Sequence, residues 1–173
     1  MITLSNKSAL KLCGVVMASA VLGPSATQAT LNSGGPFAGL SGHWLGTGTV
    51  TMMDGSKKRL LCNSANAVNS NGRSITQNLR CTSGVLKLDI RSNVFSEGGL
   101  ISGSWTEATH RVWGSVYGHA NRSAIVADVG GTGFAAHMNV RMKGNKQSVT
   151  MESFTLEPER GTDIADIAVA LRK

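Results

Sequence analysis

The stretch FAAHMNVRM, residues 134–142, alternates between two sets of side chains from one residue to the next. Its even-numbered positions carry Phe, Ala, Met, Val and Met, whereas its odd-numbered positions carry Ala, His, Asn and Arg. Successive side chains of a β-strand point to opposite faces of the sheet. The pattern therefore predicts a strand with one buried face and one wet face, as antiparallel sheets have. His137 lies on the polar face and is expected to point to solvent.

The same period of two recurs on both sides of this stretch. Residues 163–172 and 86–91 alternate cleanly, and from residue 40 onward there is no convincing amphipathic helix. Further strands are predicted between turns rich in Gly, Asn, Asp and Ser, over residues 42–53, 58–68, 73–82, 100–107, 111–119, 123–129 and 147–154. Many short strands at this spacing are typical of an all-β sandwich or barrel. Because closure removes exposed sheet edges, we expect an antiparallel up-and-down β-barrel of about 8–10 strands; a β-sandwich is the alternative.

The N-terminal segment differs from the rest of the chain. Lys7 and Lys11 precede an apolar run over residues 12–22. This run is too short to span a bilayer. The tripeptide Thr27-Gln28-Ala29 then places small residues at the positions that a signal peptidase requires. We therefore expect a signal peptide over residues 1–29, a flexible leader over 30–41 and a single barrel domain over 42–173. The predicted location is the periplasm or the medium.

Charge gives weaker information about partners. The full chain has a net charge of +7; without the two lysines of the predicted signal, fifteen basic residues face ten acidic ones, a net of +5. The densest basic cluster, residues 57–59, has no interleaved aromatic residues, so no nucleic-acid partner is predicted. Peripheral association with an anionic envelope membrane is compatible with this charge. The sequence does not indicate an oligomeric state.

Two cysteines remain once Cys13 leaves with the signal. An even pair in an oxidising compartment indicates a disulfide between Cys62 and Cys81. Asn71-Gly72 is a strong hairpin signal between them. If these two residues form the loop, Cys62 lies directly opposite Cys81, with Cα atoms about 5.5 Å apart at a hydrogen-bonded pair. A four-residue loop is expected to shift this register by two.

The first strand begins with Gly42-His43-Trp44, and this motif resembles the start of the calycin barrels, the group that holds lipocalins and avidins. The resemblance implies that Gly42 and Trp44 are structural and that the indole closes one end of the barrel. It also implies that a basic residue near the end of the last strand, here Arg172, packs over that indole. Residues 101–107 and 111–117 are similar to two later avidin strands. The biotin-contacting residues do not transfer, and no biotin site is predicted.

The segment LSGHW, residues 40–44, is also similar to the start of periplasmic inhibitors of secreted metalloproteases. Those inhibitors are small exported barrels with one disulfide. The resemblance implies that residues 30–37 form a tail that enters the cleft of an exported protease. A disordered leader is the alternative.

A ligand would occupy the barrel interior. By strand parity the candidate ligand-binding residues are Trp44, Trp105, Glu107, Phe134 and Met138. An apolar lining with a few polar groups is typical of small-molecule pockets, but a small barrel can also be filled by its own side chains. The sequence leaves both alternatives open. A lone Glu107 in an apolar interior needs a partner or a raised pKa, so we expect it at a rim or bonded to a backbone amide.

No catalytic constellation is recognisable. The four histidines do not form a zinc-binding pattern, no Gly-x-Ser-x-Gly motif occurs, and no free thiol is expected. The sequence thus predicts no enzyme, no metal and no cofactor. It favours an exported barrel that binds a small apolar or amphipathic ligand or supports the cell envelope. The alternative is a protein–protein module such as a protease inhibitor.

Overall fold

The computed structural model of the protein describes residues 34–84, 86–155 and 163–173, apart from the side chains at 134, 154 and 155. The barrel lies in a compact unit that spans Asn32–Lys173. The predicted signal peptide and residues 30–33 of the predicted leader lie outside the described residues.

Ten antiparallel strands form a closed up-and-down barrel, in which each strand pairs with its neighbours in sequence and β1 pairs with β10. The strands are β1 (Gly42–Met52), β2 (Lys57–Val68), β3 (Ser74–Ser83), β4 (Leu86–Glu97), β5 (Leu100–Glu107), β6 (Val112–Ala120), β7 (Ala124–Gly131), β8 (Phe134–Lys143), β9 (Lys146–Thr155) and β10 (Ile164–Arg172). This architecture confirms the predicted fold class, and the β-sandwich alternative is wrong. Within the described ranges, no helix is long and apolar enough to cross a membrane.

The period of two is the reason that these segments are strands. In β8, Ala136 and Val140 are buried while His137 and Arg141 are exposed, as the alternation predicts. The predicted segment 86–91 is the first half of a longer strand, β4, which continues to Glu97. Its second half was missed because Ser92 and Ser96 occupy inward positions and interrupt the apolar alternation.

The β2–β3 hairpin carries the predicted disulfide. Cys62 and Cys81 are direct cross-strand partners, bonded through their sulfur atoms and buried inside the barrel. Their Cα atoms are 4.1 Å apart, so they form a non-hydrogen-bonded pair and not the hydrogen-bonded pair that we expected. With a sequence separation of 19, loop closure entropy gives a stabilisation of about 3 kcal/mol.

The hairpin loop holds four residues, because Asn69 donates its N–H to the carbonyl of Ser74. The predicted shift of register with such a loop is wrong. The loop widens symmetrically about Asn71-Gly72. The cross-strand pairs of β2 and β3 are therefore the same as those expected for a two-residue loop. The Asn69 carboxamide accepts the N–H groups of Arg73 and Ser74 and closes the wider loop.

One end of the barrel is closed by a plug, which we define as residues 34–40 together with Trp44. The N–H groups of Gly35 and Phe37 donate to carbonyls of the β2–β3 loop. The side chain of Phe37 is only 1% exposed, and Leu40 is also buried. The Trp44 indole donates to the Leu40 carbonyl at 2.9 Å. The sequence predicts a flexible leader here, but Phe37 and Leu40 anchor residues 34–40 in the core. We call this end the plugged end and the opposite one the far end.

The cation over Trp44 is Lys173 and not Arg172. The Lys173 Nζ atom lies 5.9 Å from the centre of the indole ring. Arg172 is exposed, because Val169 and Leu171 face inward and residue 172 follows on the opposite face of β10. The resemblance to lipocalins thus gave the correct type of contact one position too early. Gly42 has a φ of +106°, a region that favours glycine.

Candidate functional site in the barrel interior

The middle of the barrel is lined by side chains that point inward but are only half-buried. Fully buried inward positions toward the ends include Trp44 and Ile101 at the plugged end and Leu60 and Leu88 near the far end, but Val68 and Leu86 at the ends are half-buried as well. Partial exposure at these inward positions indicates incomplete packing, and we call the region that they line the interior space. These half-buried residues lie on β3, β4, β8, β9 and β10 and are Gln77, Leu79, Ile90, Ser92, Met138, Val149, Met151 and Ile167.

A neutral polar cluster lies on one side of this space. Gln77 donates through Nε2 to the Ser64 hydroxyl at 3.2 Å, and Ser64 donates to Asn66 at 2.7 Å. Asn66 in turn donates to the carbonyl of Leu40, so the cluster is anchored to the plug. Ser92 is the cross-strand partner of Gln77 and also points inward. At this height the described residues place no charged side chain inside the barrel.

Trp105 forms part of the wall beside this cluster. It is the cross-strand partner of Ser92 on one side and of Gly114 on the other. Its indole nitrogen donates to the Gly130 carbonyl at 3.1 Å. A Cβ on Gly131 would lie 3.1 Å from the Cζ2 atom of the indole. The absence of a side chain at Gly131 thus leaves room beside the large ring.

Glu107 is buried near the far end, where its carboxylate is hydrogen-bonded to the backbone of the barrel wall. Its carboxylate accepts the N–H groups of Asp89, Thr109 and His110 at 2.9, 3.0 and 2.6 Å. The His110 ring contacts the same carboxylate at 2.8 Å. Burial by itself raises the pKa of Glu107, but these partners together stabilise the charged form more strongly and lower the pKa from 4.5 to about 2. Of the two outcomes that the sequence left open, the structure shows backbone partners and not a raised pKa.

The lowered pKa of Glu107 predicts a loss of stability in acid. The folded state binds this proton less readily than the unfolded state, so the contribution is present above about pH 4.5 and is lost as the pH falls toward 2. We expect Glu107→Gln to lower the free energy of unfolding by about 1–3 kcal/mol at pH 7. Urea unfolding of both proteins at several pH values between 7 and 2.5 measures the effect. Because all other acidic groups are shared, the gap between the two proteins should close in acid; a constant gap would contradict the assignment.

The other predicted site residues lie in different places. Trp44 belongs to the plug, whereas Met138 lines the half-buried middle of the barrel. Phe134 begins β8 opposite Gly131, and its side chain lies outside the described residues. The sequence missed Gln77 and Ser92, because polar residues at inward positions look like wet-face residues until the neighbouring apolar positions are placed.

No metal centre is visible in the described part of the chain, where no three metal-binding side chains come together. His137 contacts the carboxylate of its cross-strand partner Asp128, and both side chains are exposed on the outer wall.

The plug includes part of the predicted inhibitory tail over residues 30–37. Phe37, the last residue of that tail, is buried in the barrel end, so residues 34–37 are not free to enter a protease cleft.

No protein-family model matches the chain, and no curated protein matches it in sequence. Solved structures match its fold. Rv2717c from M. tuberculosis aligns with a TM-score of 0.59 and 12% identity, over 79% of this chain and 94% of that one. The S-type phycobiliprotein lyase CPES from Guillardia theta aligns with a TM-score of 0.53 and 9% identity, over 79% and 90% of the two chains.

A third match is a DUF3598-family protein of unknown function from Nostoc punctiforme PCC 73102. Its TM-score is 0.54 at 10% identity; the alignment covers 85% of this chain but only 53% of that longer one. At such identities the likeness shows the fold alone. It fits a calycin-like barrel and does not single out lipocalins or avidins.

Proposed function

We propose that this protein is an exported, non-enzymatic barrel that binds a small, neutral, apolar or amphipathic molecule in its interior. The observation that carries the proposal is the set of inward-facing side chains that remain half-buried at mid-height. A core filled by its own side chains would bury these residues as fully as it buries Val50 and Leu60. A barrel of ten strands is also wider than the eight-stranded barrels that hold one small ligand or none.

The lining defines the chemistry of the ligand. Met138 and Met151 are flexible and polarisable, so they adapt to ligands of different shape. Gln77 and Ser92 offer neutral hydrogen-bonding groups to one polar end of the molecule. An ionised group in this space would lack an opposite charge and would lose its hydration. The ligand is therefore expected to carry a hydroxyl, carbonyl or amide group and not a carboxylate.

Fold and covalent structure support the remaining parts of the proposal. A disulfide between Cys62 and Cys81 persists in an oxidising compartment, which agrees with export. The phycobiliprotein lyase shares the barrel fold, which supports a ligand-handling role at the level of fold.

Ligand binding is tested by native mass spectrometry and solvent extraction of the purified protein, followed by titration with a long-chain alcohol and the fatty acid of equal length. Tryptophan fluorescence reports binding, and we expect the alcohol to bind about tenfold more tightly. Met138→Trp fills the space and should weaken binding about tenfold or more, whereas Asn139→Trp, on the outer face, should not. Circular dichroism checks that both variants fold. A protein that carries no ligand and binds neither compound would refute the proposal.

A further inference from the structure

The plugged end of the barrel carries a one-sided excess of positive charge. Its hairpin loops and strand ends bring together seven exposed cations: Arg73, Arg122, Arg141, Lys143, Lys146, Arg172 and Lys173. Among the described residues the acidic side chain at this end is Glu97 alone, and none of these seven cations has an ion-pair partner. The far end differs, because acidic Asp54 and Asp163 lie there among the basic residues.

An apolar stripe begins beside this charged end on the outer wall. Phe95, Leu100, Tyr117 and Val126 are each 55–60% exposed. Phe95 and Tyr117 are both cross-strand partners of Ser102, and Leu100 and Val126 are both partners of His119. The four side chains are therefore near neighbours on β4–β7, in the part of the wall next to the plugged end. Large exposed apolar groups in one patch mark an interaction surface.

We propose that the plugged end and this stripe together dock the protein on the surface of an anionic lipid bilayer. Cations attract an anionic leaflet, and aromatic residues such as Tyr117 and Phe95 favour the interface between headgroups and acyl chains. Leu100 and Val126 supply aliphatic area of the kind that anchors interfacial proteins. A nucleic acid fits less well, because two of the four stripe residues, Leu100 and Val126, are aliphatic and offer bases no stacking surface. In this orientation the far end of the barrel faces away from the membrane.

The charge contribution is tested by vesicle co-sedimentation of the exported form of the protein. The vesicles consist of phosphatidylcholine alone or of phosphatidylcholine with phosphatidylglycerol. We expect salt-sensitive binding to the anionic vesicles only. The double variant Lys143→Glu with Lys146→Glu should weaken it about tenfold or more. The control Lys57→Glu with Lys87→Glu makes the same change in net charge at the far end and should leave binding within about twofold. Equal loss in both pairs would overturn the proposal, and so would equal retention.

The stripe is tested with exposed residues of one strand. Tyr117→Ser should weaken binding to anionic vesicles about fivefold. Trp113→Ser is the matched control, because Trp113 is 64% exposed on the same strand near the far end. Circular dichroism confirms that both variants fold. If Trp113→Ser weakens binding as much as Tyr117→Ser does, the stripe is not the contact. Tighter binding to an RNA oligonucleotide than to anionic vesicles at equal salt would make this end a nucleic-acid surface and overturn the proposal.

Discussion

We expect Trp44→Ala to lower the free energy of unfolding by about 3–5 kcal/mol, more than any other replacement of a tryptophan in this barrel. Trp44 is 1% exposed and is among the largest fully buried side chains. Its removal would leave a cavity between the plug and the barrel wall. It would also leave the Leu40 carbonyl with Asn66 as its remaining partner and would remove the ring beneath Lys173.

The matched control for this change is Trp113→Ala. Trp113 is largely exposed, so its truncation should change the free energy of unfolding by less than about 0.5 kcal/mol. Trp44→Phe separates the two parts of the effect, because it keeps most of the buried ring and removes the indole donor; we expect a loss of about 1–2 kcal/mol. Urea unfolding followed by circular dichroism measures all three variants. Similar losses for Trp44→Ala and Trp113→Ala would show that the plug is not part of the cooperative core.

The second large effect is expected for Gly114→Ala. A Cβ on Gly114 would lie 1.6 Å from the Gly130 carbonyl oxygen of the neighbouring strand. That atom is backbone and cannot turn aside, so β6 and β7 must move apart under the Trp105 indole. A glycine inside a strand marks such a close approach of two backbones. We expect a loss of about 3 kcal/mol or more, at the upper end of the cost of overpacking.

Gly130→Ala is the control for this prediction. Gly130 lies on the adjacent strand, and a Cβ there would meet no atom within 4 Å. Its replacement should therefore change the free energy of unfolding by less than about 1 kcal/mol. Thermal unfolding and the yield of folded protein are measured for both variants. If Gly114→Ala is too unstable to purify while Gly130→Ala is normal, the prediction holds; equal stability of the two variants would contradict it.

Local sequence signals were sufficient for the strands and for their pairing in sequence. The alternation in residues 134–142 identified β8 and its buried face, because side-chain direction in a strand depends on parity alone. The Asn71-Gly72 signal placed Cys62 opposite Cys81 even though the loop is wider than expected, because the register depends on the centre of the turn. Glu107 was correctly expected to find a backbone partner.

Features that depend on closure of the barrel could not be predicted from local sequence signals. Phe37 looks like part of a flexible leader, because the residues around it are Gly, Pro and Ser; its burial depends on the open barrel end that ten paired strands create. Lys173 and not Arg172 covers Trp44, because the tilt and register between β1 and β10 decide which residue returns to the indole.

The sequence by itself determined an all-β chain, most of the extent of its strands, the buried faces of β8 and β10 and the disulfide. These properties follow from a period of two and from turn chemistry, which act over a few residues. Only the tertiary structure decided that residues 34–40 form a plug, that Asn66 reaches the Leu40 carbonyl, and that seven cations gather at one end. In a closed barrel the strands are tilted and staggered, so residues far apart in sequence reach the same height only after the last strand has paired with the first.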